Sequence, residues 1–221
     1  MFRFLALAGV VMLAAAPPGS AGPWPRAEGA GFFSASYTAR PQRAGQAHEA
    51  SVYGEYGLTA RLTAGADLHW QDGDAGHVLI FARYPLPQVQ ELRSAVQLAA
   101  GGYRGSGRSG GMARLTLTSG RGLRTRYGPG WWSVDAAAEW RKGRPGPVWK
   151  LDATLGLTPD WKLKPLLQVE ASKLEGQDLV WSLLPGVRIR AGRNRSVVAS
   201  AEYRSAARRT LGIRIGVWQE F

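Results

Sequence analysis

Along most of the chain, apolar and polar residues alternate one for one. From Arg61 to Asp72, Leu62, Ala64, Ala66, Leu68 and Trp70 fall on one parity, and Thr63, Gly65, Asp67, His69 and Gln71 on the other. Side chains of a strand point alternately to two faces, so this is a strand with a greasy and a polar side. The pattern returns at Trp131–Arg141, where Trp132, Val134, Ala136, Ala138 and Trp140 oppose Ser133, Asp135, Glu139 and Arg141. It returns at Trp149–Thr158 and at Leu163–Ala171, where Pro165 sits on the apolar parity and weakens the start of the strand. Twelve such segments are predicted, at 31–40, 47–56, 61–71, 77–86, 91–103, 112–121, 131–141, 148–158, 162–173, 179–190, 196–205 and 209–220. Turn-forming residues separate them: DGDAG at 72–76, RGSGRSGG at 104–111, GRPGP at 143–147, TPD at 158–160, EGQD at 175–178 and AGRNR at 191–195. The sixth and seventh are joined by GRGLRTRYGPG, longer than a hairpin needs.

Alternating strands with regular turns suit a soluble sandwich as well as a barrel. The lengths argue for the membrane: about ten residues cross a bilayer when tilted, whereas soluble strands average about five or six. Aromatic residues gather near strand ends, at Phe32, Phe33, Tyr37, Tyr53, Tyr56, Trp70, Tyr84, Tyr103, Trp131, Trp132, Trp140, Trp149, Trp161, Tyr203, Trp218 and Phe221. Rings at both ends of short apolar bands form the girdles of membrane barrels. Lipid cannot satisfy a free sheet edge, so the last strand must pair with the first, near Gly31–Arg40. The expected fold is all-β: a closed, antiparallel, up-and-down transmembrane β-barrel of about twelve strands with short connections.

Composition narrows the compartment. The first 21 residues carry Arg3, an apolar run from Phe4 to Ala16, a Pro17-Pro18 break and small residues up to Ala21. That is the layout of a secretory signal peptide, with cleavage expected after Ala21 and Ala16 as the alternative. The run is too short for a membrane-spanning helix, so residues 22–221 are read as a single barrel domain. The chain has no cysteine, which excludes disulfides, thiolate metal sites and a cysteine nucleophile. Its net charge of +12 first suggests nucleic acid. Export redirects that charge towards lipid headgroups and lipopolysaccharide.

The chain ends GIRIGVWQEF, with Ile213, Ile215 and Val217 at every second position before Phe221. This ending resembles the C-terminal strand signal of the Gram-negative outer-membrane β-barrels. The resemblance implies reading by the barrel-assembly machinery, with Ile213, Ile215, Val217 and Phe221 as the signal and Arg214 turned inward. Two local likenesses accompany it. EYGLTARLTAG at 55–65 resembles a hairpin of a proteobacterial barrel family linked to phenol-degradation clusters and thought to act in uptake. Residues 120–141 resemble segments of small proteobacterial barrels. Neither carries a functional residue onto this chain.

Parity sorts the charges. Half of the 16 acids fall on predicted inward faces: Glu49, Glu55, Asp67, Asp135, Glu139, Asp152, Glu170 and Glu202. His69 is inward beside Asp67. The cations meeting them are Arg83, Arg93, Arg114, Arg141, Lys150, Arg188, Arg190, Arg204 and Arg214. The excess positive charge lies in connections and strand ends. Arg43, Arg104, Arg108, Lys142, Arg144, Arg208 and Arg209 are candidates to meet lipopolysaccharide phosphates on the outer side. Arg121, Arg124, Arg126, Arg193 and Arg195 would meet phospholipid on the other.

Three functions are open at this point. A twelve-strand barrel is wider than the eight-strand size that side chains fill, so a narrow channel or uptake protein for small polar or anionic solutes leads. Acids and arginines on opposite walls would then set a transverse field. The second is a structural or docking barrel whose lumen charges pair and plug it. The third, an outer-membrane lipid-modifying enzyme, needs a serine oriented by a histidine, and no serine is tied by sequence to His48, His69 or His77. His48 and Ser51 face opposite sides. No metal site, cofactor or phosphate loop is indicated, and the chain is expected to be no enzyme and to bind no nucleic acid.

Overall fold

The structure is a computed structural model that describes residues 26–42, 45–72, 75–105, 107–205 and 209–221. The expected leader lies outside them. Twelve antiparallel strands follow one another: β1 (Gly31–Gln42), β2 (Gly45–Thr59), β3 (Leu62–Gln71), β4 (Ala75–Pro85), β5 (Arg93–Gly105) and β6 (Arg108–Thr125) make one half. β7 (Gly128–Arg141), β8 (Val148–Leu157), β9 (Leu163–Leu174), β10 (Val180–Arg190), β11 (Arg195–Ser205) and β12 (Arg209–Glu220) make the other. Each pairs with its neighbours in sequence, and β12 pairs with β1, so the barrel is closed and no sheet edge is left.

Closure runs from Phe32 opposite Glu220 to Ala39 opposite Ile213. Phe221 extends the seam: its carbonyl accepts from Gly31 N at 2.7 Å and its amide donates to Gly31 O at 3.1 Å. The Phe221 ring covers Gly31, where a Cβ would come within 2.2 Å of Cε2. Only glycine lets that ring lie on the wall. Ile213, Ile215 and Phe221 are exposed on the outside, and Arg214 is turned into the lumen, where it reaches Glu170.

The outer wall shows the expected apolar band. Val78, Ile80, Leu98, Leu115, Leu117, Leu151, Leu163, Leu211, Ile213 and Ile215 are all exposed. Among the described residues no side chain covers them, so hydrocarbon is the medium that suits them. Exposed rings border the band on both sides. Phe33, Tyr56, Tyr84, Tyr127, Trp161 and Phe221 lie towards the end that carries both termini, and Trp70, Trp140, Trp149 and Trp181 towards the far end.

Two expectations need correction. Phe32, Tyr53, Tyr103, Trp131 and Trp218 are not girdle residues; they sit on the inward parity, with Phe32, Tyr103 and Trp131 buried. A ring near a strand end can belong to either face, and parity decides which. The glycine-rich connections are also shorter than read. β6 runs through Thr125 and β7 begins at Gly128, leaving Arg126-Tyr127 as a tight two-residue turn closed by Gly128 at φ +113°. Ladder pairing on both sides holds GRGLRTRYGPG as strand although its glycines disfavour it.

Candidate functional site: a charged lumen

Inward side chains of the twelve strands form three linked groups. On the side of β2, β4 and β5, Glu55 is almost wholly enclosed. It meets Arg26 Nε at 2.5 Å and Arg83 Nη1 at 2.9 Å, and the Tyr53 hydroxyl donates to it at 2.6 Å. Arg83 also donates to Gln97 Oε1 at 2.9 and 3.1 Å and to the Tyr53 hydroxyl at 2.8 Å. Nearby, Thr118 Oγ1 donates to Asp135.

A second group centres on Arg114. It donates to Asp67 Oδ2 at 2.5 Å and to Glu139 Oε2 at 3.0 Å. His77 Nε2 lies 3.3 Å from Asp67 Oδ2 and 3.1 Å from Arg114 Nη2. Glu139 has no accessible surface. Three cations enclose it: Arg114, Arg141, and Lys150 at 3.5 Å.

The third group ties the seam. Arg40 of β1 holds Glu202 of β11 with two bonds, 2.5 and 2.9 Å, reaching past β12. Its Nη1 lies 2.7 Å from Glu49. Arg214 donates to Thr38 at 2.9 Å and forms a bidentate pair with Glu170. Arg204 approaches Glu202 at 4.0 Å.

Neighbouring strands lie about 4.8 Å apart, so strands three places apart are separated by roughly 14 Å of wall. Arg214 on β12 and Glu170 on β9 are so separated, as are Arg114 on β6 and Asp67 on β3. Both pairs are therefore chords that cut across the lumen. They divide it into two cavities. The one towards the far end has a volume of about 560 Å³ and the one towards the termini about 350 Å³. The two share five lining residues, Asp67, Arg114, Lys150, Asp152 and Glu170, which define a waist. Asp135, Asp152 and Glu170 stand directly opposite one another on β7, β8 and β9, an acidic row on that part of the wall.

The expected segregation of acids and arginines onto opposite walls is not what the structure shows. Acids stand on β2, β3, β7, β8, β9 and β11, and cations on strands between and among them, so they interdigitate and pair. Arg93 opens β5 at the mouth on the termini side, outside both cavities. Arg188 and Arg190 lie towards the same end. Arg104 and Arg144 line the rim of the far cavity. Arg108 donates to Gly143 O at 3.2 Å, and Lys142 is exposed. Arg43, Arg208 and the Arg209 side chain lie outside the described residues.

Sequence missed several members. Arg40 shares the parity of Ser34, Ser36 and Thr38 and could have been read inward. On β4 only Arg83 is read inward and His77 is not, because the inward face, His77, Leu79, Phe81 and Arg83, is as apolar at its middle as the outer face. The histidines are placed differently from one another. His48 faces outward against Tyr37 at 2.5 Å. His69 stacks on His77 at 5.4 Å and stands opposite Ser51, a pairing the sequence left invisible; the Ser51 hydroxyl is 2.8 Å from that of Ser36.

A closed twelve-strand barrel with a lipid-compatible outside, two aromatic belts and a charged lumen defines the class: this is the fold of the Gram-negative outer-membrane β-barrels. By sequence the chain matches no family model and no curated protein. By structure it is similar to the NanC porin, with a TM-score of 0.65 at 10% identity over 84% of this chain and 98% of that one. It is similar to the KdgM porin, with a TM-score of 0.61 at 11% identity over 85% and 99%. The β domain of the Bordetella autotransporter BrkA follows at 0.50, with 14% identity over 87% and 99%.

Proposed function

We propose that this chain is a narrow outer-membrane channel or uptake protein for small polar or anionic solutes. One observation carries the proposal: among the described residues, two polar cavities meet at a waist made of strand side chains. Charged groups lining such a path replace part of a solute's hydration. The shared fold of the NanC and KdgM porins supports it, and one of the latter has been seen in complex with disordered oligogalacturonate. The test is single-channel recording of the purified barrel in planar bilayers. Discrete conductance steps are expected; no conductance above background at any voltage would remove the channel.

The chords favour one second reading, a barrel plugged by its own ion pairs that serves in docking. The same recording separates the two, because a plugged barrel conducts only when Arg214 and Arg114 are replaced by alanine. We also propose export through the leader, assembly through the C-terminal strand and contact of the far-end arginines with lipopolysaccharide phosphates. The commitment of Arg114, Arg214, Glu139 and Glu202 to ion pairs supports a non-enzymatic role.

A further inference from the structure

At the termini end, the wall formed by β9 to β12 departs from the rest of the lumen. A concavity of about 150 Å³ is lined by Lys164, Arg188, Arg190, Arg193 and Arg195, with Trp218 as its base. Five cations face one carboxylate of the lining, Glu220. Asp160, in the turn before β9, acts on Lys164 from outside the lining. At the waist Arg114 and Arg214 are each paired with carboxylates; here like charges are stacked. Lys164 and Arg188 stand directly opposite each other on β9 and β10. Such a like-charged pair costs stability in an antiparallel sheet, and Glu220, the one carboxylate of the lining, acts on Arg188 from β12.

The donors are also arranged rather than scattered. Arg188 lies over the Trp218 ring with Cζ 5.7 Å from its centroid, a cation–π contact that holds its head group at the concavity. Arg190 Nη2 donates to the Arg193 carbonyl at 3.3 Å, tying the β10–β11 turn to the same lining. Arg195 is held aside by Gln219 at 2.9 Å. Lys164, Arg188 and Arg190 all take the inward parity, so the concavity opens to the lumen and not to lipid.

We infer that this concavity is an anion-binding site at the termini mouth of the barrel. It would take one phosphate or carboxylate group of a solute leaving the lumen. Lys164 and Arg188 supply the charge, and Arg190 with the turn borders it. The inference rests on the channel reading for its purpose, but not for its existence, since binding needs no conduction.

The experiment titrates inorganic phosphate into the purified full-length barrel in zwitterionic detergent at low ionic strength, read by calorimetry. Saturable binding at one site is expected. Replacing Arg188 and Arg190 by glutamine should weaken it about tenfold or more, the loss expected from removing charge-assisted bonds. R121Q with R124Q, which removes the same charge at the same end but outside the concavity, should leave it unchanged. Should the first variant fail the heat-modifiability test for a folded barrel, K164Q is measured in its place. No saturable binding, or equal loss in both variants, overturns the site. A phosphatidylglycerol molecule retained in native mass spectra by wild type and lost from the variant would assign the concavity to a lipid headgroup and overturn the solute. Conductance recorded on the same preparation judges the channel separately.

Discussion

The waist of the lumen and its termini mouth are both crowded with charge, yet they are built on opposite rules. At the waist every arginine is committed. Arg114 holds Asp67 and Glu139, and Arg214 holds Glu170 and Thr38. At the mouth, Lys164, Arg188, Arg190, Arg193 and Arg195 are gathered on one wall with Glu220 as the carboxylate among them. The first arrangement spends its charges on holding the barrel together and narrowing it. The second gathers like charges in excess of the carboxylate among them. Removing a charge at the waist should therefore cost stability, and removing one at the mouth should cost selectivity.

The largest expected effect is at Glu139. Its carboxylate is fully enclosed and shared by Arg114, Arg141 and Lys150. Glu139→Ala strands three cations at one place, and breaking a buried pair in this way costs about 3–5 kcal/mol. Equilibrium unfolding in urea with a folded-barrel mobility readout should show that loss. A change under about 1 kcal/mol would mean that the waist is as loosely tied as the mouth.

Next comes the seam. Arg40 spans from β1 past β12 to Glu202, which has 1% of its surface exposed. Glu202→Ala should destabilise the barrel by about 2–4 kcal/mol and do so by loosening closure, so amide exchange in β1 and β12 should accelerate more than in β6 and β7. Uniform acceleration would deny Arg40 its role across the seam. Deleting Phe221 acts on the same seam before it forms, because its ring covers Gly31 and its backbone supplies the last two seam bonds. The truncated protein should reach the outer membrane at reduced level; normal levels would show that the seam closes without it.

Much of this was legible in the alternation of residues. All twelve strands and the closing pair were readable, because a lipid-facing wall tolerates almost no exception to its apolar parity, and one violation would be conspicuous. The inner wall has no such uniform rule. Tyr53, Phe81, Trp131 and Trp218 could stand inside because water, ions and rings all suit a lumen. The two chords, Asp67 with Arg114 and Glu170 with Arg214, join strands three places apart, and β3 with β6 or β9 with β12 are not related by sequence spacing at all. The inward histidine His69 was readable by parity, while its stacking on His77 and its placement opposite Ser51 needed the register of β2, β3 and β4. If that placement has chemical consequences, His69→Ala should change release from lipopolysaccharide or phospholipid by the purified protein; no release by wild type or variant is expected.

A smaller and more local effect should separate a gate from a strut at the waist. Glu170 is partly open to the lumen, with about a third of its side chain exposed, unlike Glu139. Arg214→Ala leaves a carboxylate that water can reach, so its cost should be nearer 1–2 kcal/mol. The chord would be gone, and single-channel conductance should rise. Unchanged conductance together with a large loss of stability would make Arg214 a strut and leave the narrowing to Arg114 and Asp67.

The smallest effect on stability is expected where the sequence is most heavily charged. Arg190 is exposed near the end of β10, and its donation to the Arg193 carbonyl at 3.3 Å is the weak side of that turn. Exposed charge contacts contribute about 0–1 kcal/mol. Arg190→Gln also relieves repulsion from Arg188 and Arg193, so unfolding should be unchanged or slightly favoured towards the folded barrel. The consequence should appear in selectivity instead. Reversal potentials in a potassium chloride gradient should move towards cations, and the shift should shrink as salt rises, because the Debye length falls from about 10 Å at 0.1 M to about 3 Å at 1 M. At the waist the paired charges are shielded from bulk ions, so Arg214→Ala should alter conductance by a factor that depends little on salt. If the mouth variant showed a salt-independent shift, its arginines would be acting through short-range contacts like those of the waist, and the division between the two regions would not hold.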